Sequence, residues 1–167
     1  SQERFDAELS LLRQLPVPFC PSAAVAEQGS YVARTAAGTP LLVARGNDGV
    51  VRAFINACRH RGMQVASGEG CQKHFSCPYH GWTYGLDGAL KGIPGQAAFP
   101  GLDKQQHGLV EVSARESGGL VYVQQEGEIA ADALIDQPDF FTPDQVLFEQ
   151  SEEADNANWK LITETLL

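Results

Sequence analysis

The sequence predicts a mainly antiparallel β domain with an N-terminal helix and the start of a C-terminal one. Three observations carry this. Short apolar stretches alternate with turn residues at close intervals through the middle of the chain, the pattern of an all-β body. Gly46-Asn47-Asp48-Gly49 sits between two such stretches, and Asn, Asp and Gly accept the positive φ of a tight hairpin. Helical spacing shows before Pro16, briefly over Ile129–Ile135, and again near the end of the chain. A chain of 167 residues has room for one domain with a real core and a short appendage.

In chain order, Phe5, Leu9, Leu12 and Leu15 recur near helical spacing and stop at Pro16, so residues 1–15 read as a helix lying on the domain. Tyr31–Arg34 reads as a strand, and Pro40–Arg45 and Val50–Asn56 as the arms of the hairpin. Residues 57–84 carry glycines at 62, 68, 70 and 81, which read as loops wrapped closely around a group. A second hairpin is expected across Leu86-Asp87-Gly88. A third joins Leu109–Ala114 to Leu120–Gln124 through Glu116–Gly119. Ile129–Ile135 reads as a short helix, and Pro138 and Pro143 mark a linker over 126–148. From Glu149 a strand or turn enters a helix near Asn158.

A formal net charge of −9 repels phosphate backbones and argues against a nucleic-acid partner. The longest apolar runs, such as Leu41-Leu42-Val43-Ala44, are far shorter than a membrane span. Glu3, Arg4 and Asp6 interrupt any secretory apolar stretch at the start. The expectation is therefore a protein of the cytoplasm with no membrane partner.

The chemistry concentrates in two loops, Cys58-Arg59-His60 and Cys77-Pro78-Tyr79-His80, with sixteen residues between them. Each offers one thiolate and one imidazole. Two sulfurs and two nitrogens suit a [2Fe–2S] centre in which two histidines replace cysteine on one iron. Zinc, which also accepts S₂N₂ ligation, is the nearest rival. Structural zinc more often pairs Cys with Cys and His with His, whereas both pairs here are mixed. Free thiolates also argue for a reducing compartment. His74 and His107 read as solvated residues, Cys20 as a small buried hydrophobe, and Cys71 stays open.

These loops, with Arg61-Gly62 after the first and Gly81-Trp82 after the second, closely resemble the Rieske motif, and the resemblance covers roughly residues 16–125. It implies the Rieske iron–sulfur fold, stacked small β-sheets with a cluster-binding subdomain at 57–84. It also implies a [2Fe–2S] cluster held by Cys58 and Cys77 on one iron and His60 and His80 on the other. The respiratory branch adds a cysteine to each loop, where this chain has Met63 and Tyr79. That branch also has a serine where this chain has Trp82. One donor to the cluster sulfurs is thereby lost while Tyr84 is kept, so the potential is expected near the low end of roughly −150 to +300 mV.

Cys77-Pro78-Tyr79-His80-Gly81-Trp82 with Tyr84 looks like the oxygenase type of Rieske domain. Asn158-Trp159-Lys160 with Glu164 resembles the segment that opens an oxygenase catalytic domain, so residues 149–167 read as the start of a truncated one. The resemblance implies an electron-transfer domain of an aromatic-ring-hydroxylating oxygenase α subunit. It would relay electrons from NAD(P)H, through a reductase or ferredoxin, to a mononuclear Fe(II) expected only in the full-length enzyme. That enzyme would be a homotrimer, with or without a β subunit. No catalytic residue is assigned here, and this chain alone is expected to be incompetent. The alternatives are a stand-alone Rieske ferredoxin and a zinc-stabilised interaction module. From Cys58 to Tyr84, Arg59, Arg61 and Lys73 outnumber Glu69, a basic stretch that reads either as steering an acidic donor or as a structural set that offsets the cluster's negative charge.

Overall fold

The computed structural model describes residues 1–142, 144–149 and 160. Helix α1 (Gln2–Gln14) comes first. It is fastened at its end by polar contacts, with Arg13 donating to Ala37 O and accepting from the Gln125 and Glu126 amides. None of its residues is buried. The expected segment from Glu149 into a helix near Asn158 lies outside the described residues, except that Lys160 is helical and pairs with Glu8 of α1.

Seven strands form the main antiparallel sheet. They are β1 (Val17–Pro21), β2 (Ser30–Ala36), β3 (Thr39–Arg45), β4 (Val51–Ile55), β5 (Gly68–Cys71), and then, after three strands of a second sheet, β9 (Glu111–Ser117) and β10 (Leu120–Gln124). Their order across the sheet is β1-β10-β9-β4-β3-β2-β5. The second sheet is β6 (Phe75–Ser76), β7 (Thr83–Tyr84) and β8 (Leu90–Gly92). The β3–β4 hairpin closes as the sequence predicts, with Gly46 N–H bonded to Val50 O and Gly49 at φ 78°.

β3 explains how the sheet carries the site. Leu41 to Ala44 are all buried, and side chains alternate between faces. Leu41 and Val43 join one core with Val32, Ala53 and Val121. Leu42 and Ala44 join the other with Phe54, Phe75, Trp82, Tyr84 and the two loop cysteines. The loops thus rest on one face of the main sheet. Gly88 shows how tight this seam is, because a Cβ there would meet Phe54 Cε1 at 2.4 Å.

Three sequence expectations are corrected. Gly68 and Gly70 belong to β5, paired with β2, and not to a wrapping loop. The Tyr31 ring lies over Gly70, where a Cβ would come within 3.3 Å of it. The third hairpin keeps pairing to Ser117↔Leu120, so its turn is Gly118-Gly119 alone, both at positive φ. Residues 129–135 form successive turns instead of a helix. The Arg115 guanidinium takes the Ile129, Ala130 and Ala131 carbonyls, which a helix would need for its own amides. Ile129 and Leu134 are buried against Tyr122.

Candidate metal centre

Each cysteine loop is tied by the same two backbone hydrogen bonds. Cys58 N–H donates to Met63 O at 2.8 Å, and Gly62 N–H returns to Cys58 O at 2.8 Å. Cys77 N–H donates to Trp82 O at 2.8 Å, and Gly81 N–H returns to Cys77 O at 2.9 Å. The fourth residue after each cysteine is a glycine in the left-handed region, φ 75° and 70°, a conformation that costs other residues about 1–2 kcal/mol. Different Cys-to-His spacings are thus accommodated within matched turns. The His60 and His80 rings end 4.7 Å apart, centroid to centroid.

Cys58 and Cys77 are 3% and 4% exposed. Burial pushes the Cys58 thiol up, the Tyr84 hydroxyl and the His60 amide pull it down, and Cys77 pushes it up again. The Tyr84 hydroxyl lies 3.2 Å from Cys58 Sγ and accepts the Arg59 amide at 2.9 Å. Desolvation first, then the charges of His80 and Arg61, hold His60 below its ordinary value. The His60 ring stacks on Trp82 at 5.0 Å and 7° and meets the edge of Phe99. His80 lies against exposed Tyr79, 3.8 Å between centroids. Neither imidazole hydrogen-bonds to another described residue.

This donor set fits a [2Fe–2S] group. Two buried soft sulfurs and two adjacent imidazoles with uncommitted nitrogens are what the mixed-ligand cluster needs. Among the described residues, no three Cys, His, Asp or Glu side chains gather as a single ion would require.

Other residues sort differently from their sequence neighbours. Cys20 is buried, with its thiol pushed up to about 12 by burial. Cys71 is exposed on β5 and donates to Gln28 O. His74 is exposed. His107 is not merely solvated: it packs on Trp82 at 6.4 Å and its Nδ1 lies 2.7 Å from Asp103 O. Asn56, which the sequence reading passed over, is 2% exposed. It bonds Ala66 O through Nδ2 and the Val65 and Ala66 amides through Oδ1. A polar residue ending an apolar strand two positions before Cys58 was the available signal. A cavity of about 720 Å³ between Pro21 and Phe148 is lined by none of the four donors.

The family profile of the Rieske [2Fe-2S] domain matches residues 16–112. The glycine betaine monooxygenase oxygenase subunit of Chromohalobacter salexigens is 34% identical over 144 residues, 82% of this chain and 32% of that protein. The large oxygenase component of the naphthalene 1,2-dioxygenase system of Pseudomonas aeruginosa is 43% identical over 98 residues, 56% of this chain and 22% of that protein. The crystal structure of the quaternary ammonium Rieske monooxygenase CntA with L-carnitine superposes with a TM-score of 0.76 at 29% identity, over 84% of this chain and 40% of that one. The chain spans about a third of the length of the curated relatives it matches. The domain implies a [2Fe–2S] cluster, and its substrate-oxidising relatives are not confined to aromatic compounds. With matched cysteine turns, paired imidazoles and these relatives in agreement, the chain belongs to the Rieske [2Fe-2S] domain family, and specifically resembles the α subunits of Rieske oxygenases.

Proposed function

We propose that this chain is the electron-relay part of a Rieske oxygenase, with Cys58 and Cys77 as the sulfur ligands and His60 and His80 as the nitrogen ligands. The observation that carries this reading is the pairing of two buried thiols with two adjacent imidazoles on matched turns. Bound there, a [2Fe–2S] group takes up and releases one electron at a time. Around it, Tyr84 directs a hydroxyl at the Cys58 sulfur, while Trp82 and Phe99 pack the His60 ring in place.

On this reading the electron donor is a reductase or ferredoxin drawing on a nicotinamide cofactor. The acceptor is a mononuclear iron in the part of such enzymes that this chain does not span. Residues 16–125 are the relay unit, and 126–148 lead from it towards the catalytic portion that opens in 149–167. The whole enzyme assembles as a trimer and works in a reducing compartment such as the cytoplasm, in keeping with four unpaired cysteines. Among the described residues no helix is long and apolar enough to cross a membrane. Ring hydroxylation is too narrow a class when relatives act on betaine and carnitine. The substrate class is therefore an organic molecule open to mono- or dioxygenation.

The test is the EPR spectrum of the anaerobically reduced, iron-loaded chain. A rhombic signal of the two-histidine cluster type, lost in Cys77→Ser and His80→Ala, is expected. A colourless protein binding one zinc would overturn the reading.

A further inference from the structure

The main sheet and the small sheet leave a recess of about 410 Å³ between the β3–β4 turn and the β7–β8 turn. Its lining carries five charged side chains, Asp48, Arg52, Lys73, Asp87 and Lys91, with His74 beside them. Both carboxylates are already committed. Asp48 takes two hydrogen bonds from Arg52, at 3.0 and 2.6 Å, which hold its carboxyl below the usual range. Asp87 accepts from Lys91 at 2.8 Å. Lys73 and His74 make no hydrogen bond or ion pair with any described residue. Three fixed cations face two carboxylates here, in a chain whose net charge is −9.

The location ties this charge to the cluster loops. Thr83 and Gly85 line the recess, and Tyr84 between them is fully buried with its hydroxyl on Cys58 Sγ. Thr83 also bonds Ser76, the neighbour of Cys77. The recess therefore backs onto the sulfur side of the site. Arg59 and Arg61, grouped with Lys73 by sequence, do not line it.

We propose that this recess is the docking place of an acidic, one-electron donor protein, which seats a carboxylate side chain against Lys73 and His74. The inference rests on the relay function and adds where the electron arrives. The transfer would be of one electron, from the reduced flavin or iron–sulfur centre of the donor, oxidised by one unit, to the [2Fe–2S] group that Cys58, Cys77, His60 and His80 would hold, with no bond formed or broken. The histidine side is left for the onward step. An acidic surface approaching a chain of the same sign is repelled except where cations are concentrated, so the recess supplies orientation as well as attraction.

The test uses the cluster-loaded chain and a photoreduced plant-type [2Fe–2S] ferredoxin, an acidic protein, as the probe. Stopped-flow reduction and calorimetric Kd for the oxidised probe are measured at low and high salt. Lys73→Glu/His74→Glu is expected to slow reduction and weaken binding by about tenfold or more at low salt and to flatten the salt dependence. Arg4→Glu on α1, a charge reversal outside the recess, should change both by less than about twofold. Equal behaviour of the two variants, with normal cluster spectra, overturns the docking site alone. Inhibition by inorganic phosphate at constant ionic strength with no loss of protein binding marks a small-anion pocket and overturns it too. Failure of the chain to show a Rieske spectrum overturns the functional reading itself.

Discussion

Tyr84 Oη lies 3.2 Å from Cys58 Sγ and accepts the Arg59 N–H at 2.9 Å. With its acceptor side used by the amide, the hydroxyl has its proton free for the sulfur. A hydrogen bond to a cluster sulfur favours the reduced, more negative form. Tyr84→Phe is expected to keep the ring, which is fully buried, and to lower the reduction potential by roughly 40 mV, the equivalent of about 1 kcal/mol. Protein-film voltammetry reads this directly. An unchanged potential would mean that the phenol merely fills space.

Asn56 fastens the end of β4 to the chain beyond the first loop, with three hydrogen bonds to Val65 and Ala66 and 2% exposure. Asn56→Ala leaves two amides and a carbonyl without partners and should cost about 3 kcal/mol, seen as a lower urea midpoint. Asn56→Asp keeps the acceptor and loses the donor. It should be nearly as damaging at neutral pH, because a buried carboxylate gains no cation there, and should recover in acid. If Asn56→Asp matches the parent at pH 7, the Nδ2 bond to Ala66 O is not needed.

The four candidate ligands were legible because a cluster needs thiolate and imidazole at short spacing, a local property of the chain. So was the glycine four residues after each cysteine, which a tight turn demands. β3 was legible from its apolar run, which is buried on both faces. Gly68 and Gly70 misled, because a glycine says that backbone or a ring comes close and not whether the segment is loop or strand. Here the ring is Tyr31 from the neighbouring β2. Residues 129–135 misled because Arg115, a distant residue in sequence, claims their carbonyls. Lys73 joins Arg52 and Lys91 only through the packing of two sheets, a grouping that no count along the chain reveals.

Gly62 and Gly81 hold equivalent places but have different surroundings. Both have positive φ, yet a Cβ on Gly62 meets nothing within 4 Å, whereas one on Gly81 would come 2.9 Å from Pro94 Cγ. Gly62→Ala should therefore cost about 1 kcal/mol of backbone strain, and Gly62→Asn less, since Asn tolerates that region. Gly81→Ala should cost more than Gly62→Ala and reduce iron content as well. Equal melting temperatures for the two alanine variants would refute the contact with Pro94.

Cys20 and Cys71 give opposite predictions for thiol chemistry. Cys71 is exposed and should react with a neutral maleimide in the folded protein, whereas Cys20 should react only after unfolding. Burial raises the folded Cys20 thiol from 9.0 to about 12, so the fold holds the neutral form. In the unfolded chain that thiol ionises from about pH 9 upward, while the folded one does not until near 12. Stability from this group is intact below pH 9 and falls as pH rises through that window, by about 1.4 kcal/mol per pH unit. Cys20→Ala should remove that slope, at the cost of a slightly lower midpoint at pH 8 from the lost sulfur packing. Urea midpoints at pH 8, 9.5 and 11 decide the matter: parallel losses in parent and variant would mean that other groups govern the alkaline transition.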